Sequence, residues 1–196
     1  MQASNRDLLF DALTERIICA ILLTHYQKED GQMQNSVSLI VCLTGHRQIP
    51  IEHALRLPAL LEKYMLDLIE QGAVEFRAGG ALGFDMVAAL KLLEIKEKMP
   101  HIKLHLCLPC RDQAKGWNDA AVRAYHYILD RADEVTYTTD YYAPGCMLAR
   151  DRELVEGSDV CLAYCTQSHG GAVYTCNYAK KQGLDVINVA DELPPI

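Results

Sequence analysis

Three short segments of this 196-residue sequence set glycines beside polar side chains, as an anion site requires. The first is Thr44-Gly45-His46-Arg47. Gly45 permits a tight turn with close backbone approach, Arg47 can contact a phosphate, and His46 can hydrogen-bond a ligand or act as a general acid or base. A plain turn with a solvated arginine is the alternative. The second segment runs from Ala78 through Gly79, Gly80, Ala81, Leu82 and Gly83 to Phe84-Asp85. Gly79 and Gly80 leave main-chain N–H groups accessible, and Gly83 opens a helix whose free N–H groups favour an anion. Asp85 either contacts a ligand or complements the helix dipole. The third segment, Ser168 to Thr175, repeats the arrangement with Gly170-Gly171 before a helix start. Neither glycine pair belongs to a GxGxxG or GxxxxGK[ST] motif, so no standard dinucleotide or P-loop site is inferred. Two such loops in one chain point instead to a phosphate- or nucleotide-shaped ligand.

Further polar residues fall among apolar ones. In Arg150-Asp151-Arg152 the two arginines lie two residues apart, so a helix points them to nearly opposite sides. Met147, Leu148, Leu154 and Val155 mark an apolar face with Asp151 in its middle. A carboxylate there needs a partner. It either faces the pocket, orients a pocket arginine, or fastens the helix to the sheet. Cys107-Leu108-Pro109-Cys110 lacks the further ligands a zinc site needs, so no metal is assigned and Pro109 is expected to shape the loop at a strand end. Trp117, the single tryptophan, either stacks on a base, closes the pocket as a lid, or packs against a neighbouring helix. The histidines His25, His53, His101, His105 and His126 share no ligand spacing.

The elements that must position these residues alternate. Strands are expected over Val37–Leu43, Val74–Ala78, Lys103–Leu108, Glu134–Tyr137, Asp159–Tyr164 and Asp185–Val189. Between them the pattern predicts helices near Ala59–Gln71, Gly83–Lys98, Asp112–Ala132, Cys146–Glu156 and Ala172–Gln182. Nearly continuous apolar strands suit a sheet covered on both faces. The fold class is therefore α/β, a Rossmann-like three-layer sandwich with a mostly parallel sheet. Ligands of such sheets sit at the carboxyl ends of the strands, where all three glycine segments fall. Residues 1–35 form an expected N-terminal helical extension and linker, and residues 36–196 the sandwich domain. The extension's apolar stripe (Leu8, Leu9, Ala12, Leu13, Ile17) either packs on the sandwich or makes a homo-oligomer.

Composition narrows the function classes. A net charge of −7 disfavours a nucleic-acid binder that relies on a basic surface. The first apolar run, Ile17 to Leu23, follows three acidic residues rather than a basic stretch and is too short to span a bilayer, so a cytoplasmic, non-membrane protein is expected. In that reducing compartment the eight cysteines, mostly inside apolar runs, read as small core residues.

Taken together, Thr44-Gly45-His46-Arg47, Gly79-Gly80 through Asp85, and Gly170-Gly171 followed by Thr175, Ala179 and Gly183 resemble the SLOG superfamily, which unites DNA-processing Smf/DprA proteins with Lonely Guy phosphoribohydrolases. Within it the sequence is most similar to the YpsA-like family, through Leu108-Pro109-Cys110, Gln113, Trp117, Tyr142, Cys146-Met147, Arg150-Asp151-Arg152, Leu154-Val155 and Ser158. The resemblance runs from about residue 37 to 190. It implies a Rossmann-like fold and a pocket for a nucleotide or an ADP-ribose-like derivative, with no certain cofactor. The sequence departs from the family pattern at Asp151, where relatives usually carry Asn, and at Ala172, where they often carry Thr. The phosphoribohydrolases carry a glutamate where this chain has Asn177, and an amide cannot serve as a general acid or base. Binding is thus the leading expectation. Cleavage of an N-glycosidic or phosphoribosyl bond, with Asp85, Asp151 or His46 as catalytic candidates, is the alternative, and single-stranded DNA binding is the third.

Overall fold

The computed structural model describes residues 38–195. The helix expected over residues 1–30 and its linker lie outside the described residues. The described residues begin with strand β1 (Leu39–Gly45), a short helix α1 (Ile51–Ala54) and helix α2 (Leu57–Glu70). It continues through β2 (Ala73–Ala78), α3 (Phe84–Lys98), β3 (Lys103–Leu108), α4 (Asp119–Leu129) and β4 (Glu134–Tyr137). Helix α5 (Cys146–Val155), β5 (Val160–Tyr164), α6 (Gly171–Lys181) and β6 (Asp185–Asn188) follow, and a 3₁₀ turn over Val189–Glu192 ends the series.

The six strands of the described residues pair in parallel in the order β4-β3-β2-β1-β5-β6. The order reverses between β1 and β5, so the loops leaving those strands diverge to opposite faces and open a crevice at the carboxyl edge. Strand periodicity sends alternate side chains to each face. Val41, Leu43, Phe76, Leu104, Leu106, Leu108, Leu162 and Tyr164 meet α2, α3 and α4 in an aliphatic and aromatic core. Each such side chain, when fully buried, contributes roughly 1.5–3 kcal/mol. Cys42, Cys107, Cys161 and Ala163 face the other way, against Leu154 and Val155 of α5 and Cys176 and Ala179 of α6. The seven cysteines among the described residues are free thiols, and all but Cys165 are buried. No described helix is long and apolar enough to cross a membrane.

The expected strands are present, with β3 and β4 at the predicted residues. Four details differ. Thr44 and Gly45 are the last residues of β1 rather than loop, because Gly45 still pairs with Tyr164. Helix α4 starts at Asp119, not near Asp112, since the Asn118 side chain caps it by accepting the Ala121 N–H at 2.9 Å. Residues 112–118 are therefore irregular loop. Helix α1 had no periodic signal in its four residues. On α5 the buried arc is Cys146, Arg150, Asp151, Leu154 and Val155, rotated toward Arg150, so Leu148 at its rim is 45% exposed.

Candidate functional site

The carboxyl edge of β2 carries Gly79, whose missing side chain is filled by an arginine. A Cβ on Gly79 would lie 1.1 Å from Arg150 Nη1 and 2.8 Å from Asp85 Oδ2. Arg150 projects from α5, on one face of the sheet, while Asp85 sits in the first turn of α3, on the other. Their ion pair, Nη1 to Oδ2 at 3.6 Å, therefore bridges the two layers over the end of β2. Arg150 Nε is 3.2 Å from Asp151 Oδ1 but off line for a hydrogen bond, so that N–H has no acceptor among the described residues. All three side chains are buried. Asp151 Oδ2 in turn lies 3.8 Å from where a Cβ of Gly171 would be, and the nearby Thr175 hydroxyl donates to Gly171 O at 2.9 Å.

One guanidinium between two carboxylates leaves the cluster short of positive charge. Burial pushes the Asp85 carboxyl up to about 6, against the opposing pull of Arg150 and of the Ala81 N–H, which donates to Oδ2 at 3.3 Å. The Asp151 charge pushes it the same way as burial. Burial also raises Asp151, with Arg150, Thr175 and the charge of Arg47 opposing. Gln113, in the loop after β3, donates its Nε2 to Gly79 O at 3.1 Å, while its buried Oε1 has no donor among the described residues. The site thus holds an unused acceptor (Gln113 Oε1), an unused donor (Arg150 Nε–H), and carboxylates suited to hydroxyl or amine groups.

His46 joins three loops. Its N–H donates to Tyr164 O at 3.2 Å and its carbonyl accepts the Phe84 N–H at 3.1 Å. Its Nε2 accepts main-chain N–H groups from Thr166 at 3.0 Å and Gln167 at 3.2 Å. With that lone pair engaged, the neutral ring carries its proton on Nδ1. Burial, helped by the nearby His169, lowers the His46 pKa. Gly83 completes the junction. At φ +82° its site lies 2.3 Å from Arg47 O, a distance and a dihedral that exclude a side chain. Gly45 is not a turn residue. It leaves room for the Phe84 ring, 2.4 Å from where its Cβ would be.

Contacts join several of the expected site residues: Gly83 to His46 and Arg47, Gly79 to Asp85 and Arg150, and Gly171 to Asp151, whereas Gly80 packs among Leu108, Tyr125 and Gln113. Arg47 and Gly171 are exposed to solvent, as is Gly170 just before α6. A cavity of about 510 Å³ opens at the strand-order reversal, between Gln48, Ile49, Pro50 and the Thr166-Gln167 loop. Trp117 lies edge-on to Tyr125 of α4, 5.5 Å between ring centroids. Pro109 is buried and its carbonyl accepts from Thr139, a loop-shaping place. Gln113, Thr166 and Gln167 are the additions. Gln113 was visible only as part of the family pattern, and main-chain N–H donors leave no mark in a sequence. Among the described residues no group of three or more His, Cys, Asp or Glu side chains is placed to hold a metal ion.

An all-parallel sheet of this order, with glycine loops at its carboxyl edge, defines a Rossmann-like protein. It has the fold of DNA processing protein A from Helicobacter pylori, with a TM-score of 0.57, 20% identity, and coverage of 79% of this chain and 70% of that one. DNA processing protein A of Streptococcus pneumoniae matches with a TM-score of 0.57 and 17% identity, over 76% of this chain and 49% of that one. Residues 42–188 match the YpsA model, described as the YspA SLOG family, and the chain belongs to that family. A UPF0398 protein of Halalkalibacterium halodurans is 34% identical over 124 residues, 62% of this chain and 66% of its own length, just under two thirds. A UPF0398 protein of Bacillus pumilus is 30% identical over 142 residues, 68% of this chain and 76% of its own.

Proposed function

We propose that this chain binds a nucleotide or nucleotide-derived small molecule in the crevice where the loops after β1 and β5 diverge. The supporting observation is that one glycine of each pair adjoins the buried charge cluster, Gly79 at Arg150 and Gly171 at Asp151, with Arg47 exposed. In this reading the first-turn N–H groups of α6 receive phosphate, with Arg47 adding charge. Ribose hydroxyls or base amines then donate to Asp151 and to Gln113 Oε1, which has no donor among the described residues. The net charge of −7 makes local main-chain amides, rather than a general positive field, the source of attraction. A titration panel of AMP, ADP, NAD and ADP-ribose, followed by thermal shift and calorimetry, tests this. Binding of at least one member, weakened by Arg47→Ala, is expected; no response across the panel overturns it.

A second reading, hydrolysis of an N-glycosidic bond, rests on Asp85, whose carboxyl at about 6 lies near the working range of an acid or base. It requires base release from a bound nucleotide that Asp85→Asn abolishes while binding persists. Single-stranded DNA, which the Helicobacter pylori protein binds, is a third ligand to include in the panel.

A further inference from the structure

We infer that His46 is a positioning residue that holds the loop ahead of Gly170-Gly171 in its ligand-receiving shape through a proton-free Nε2, making that shape sensitive to acid. The inference rests on the nucleotide-binding reading above and adds how the site is kept and lost.

The geometry carries it. The loop between β5 and α6 runs from Cys165 to Gly170, and Thr166 through Gly171 are exposed. A loop so placed orders only where its main chain finds partners. Two consecutive N–H groups, of Thr166 and Gln167, point at one atom, His46 Nε2. The same residue is bound through its own backbone to Tyr164 O and to the Phe84 N–H at the start of α3. One side chain thus sets the height of the α6 loop against the loop that opens α3. These are the two segments carrying the glycine pairs.

Protonation of Nε2 would place an N–H against two N–H donors. The acceptor would vanish and the contact would become repulsive. The loop would then have to withdraw from β1. The titratable and charged groups around the ring are Tyr164 on β5, edge-on at 6.1 Å, His169 on the loop itself, Arg47 next in the chain, and Asp85 one residue beyond Phe84. His169 and burial both disfavour the charged ring, so the ordered loop persists at neutral pH and below the ordinary histidine value of 6.5 before it yields.

Glutamine separates the two halves of the inference. Its Oε1 occupies the same position along the side chain as histidine Nε2, accepts two N–H groups, and cannot be protonated in this range. Hydrogen exchange is measured on ligand-free wild type, His46→Gln and His46→Ala at pH 7.5 and 5.0, corrected for intrinsic rates. The amides of Thr166 and Gln167 should exchange about tenfold faster in His46→Ala at both pH values, since their shared acceptor is gone. Wild type should show that acceleration only at pH 5.0, and His46→Gln at neither. Calorimetry with ADP-ribose should follow the same order, with affinity about tenfold weaker in His46→Ala and largely restored in His46→Gln. Wild type should weaken in acid where His46→Gln does not. Unchanged exchange at both amides in His46→Ala overturns the positioning role, and equal acid sensitivity of wild type and His46→Gln overturns the proton dependence. If wild type binds neither ADP-ribose nor AMP, the nucleotide reading falls, while the exchange measurements still decide the role of His46.

Discussion

The two faces of the sheet are built from different materials. Toward α2, α3 and α4 the strands present Val41, Leu43, Phe76, Leu104, Leu106 and Tyr164, nearly all without exposed surface. Toward α5 and α6 they present Cys42, Cys107, Cys161 and Ala163. Small side chains give little transfer free energy, but they let two short helices sit close over the strand ends. That closeness brings Arg150 into the slot left by Gly79 and Asp151 beside Gly171. The large face supplies most of the stability, whereas the small face spends some of it to hold buried charge at the carboxyl edge.

Substitutions can break or sharpen this contrast. The largest loss is expected from Arg150→Met, which leaves Asp85 and Asp151 buried without their cation. A decrease of about 3–5 kcal/mol in urea-unfolding free energy is predicted. A loss under about 1 kcal/mol would mean the pair is solvated and that the small face carries no strain of this kind.

On the large face Phe76→Ala should cost about 3–5 kcal/mol by cavity formation, and Cys161→Ala on the small face only about 1. Equal costs would erase the distinction.

Asp85→Asn probes the charge alone. Because the Asp85 pKa in the folded chain, about 6, lies above its ordinary 3.8, the folded state holds the proton more tightly. Its contribution is fully present below about 4 and is lost as pH rises through about 6. A shift of about two units amounts to roughly 3 kcal/mol, so between pH 4 and 7.5 the wild type should lose about that much more stability than Asp85→Asn. His46 acts with the opposite sign. Its lowered pKa stabilises the fold above 6.5, and that stabilisation declines as pH falls.

The smallest effect is expected at Gly170→Ala. No atom of the described residues lies within 4 Å of a Cβ there, so only its φ of +109° is strained, at about 1 kcal/mol by thermal unfolding. By contrast, Gly79→Ala must eject a guanidinium and should approach the loss of Arg150→Met.

Particular residues show how far the sequence could be read. The opposed directions of Arg150 and Arg152 followed from helical spacing alone: Arg150 is buried and Arg152 reaches the Tyr174 hydroxyl at the surface. The need of Asp151 for a partner followed from its apolar neighbours. The irregular stretch before Asn118 did not, because its apolar and polar residues also fit a helix and only the cap decides where the helix begins.

What the sequence alone determined is the alternation of strand and helix, the parallel sandwich, and the placing of two glycine pairs at strand ends. These depend on local periodicity and on residues with few backbone options. What only the tertiary structure decided is the use of those glycines. Gly79 is a slot for an arginine 71 positions along the chain, and Gly45 makes room for Phe84. His46 serves main-chain donors at positions 166 and 167. Such contacts join segments far apart in sequence, often through backbone groups common to almost every residue. They become visible only when the sheet brings the strand ends together.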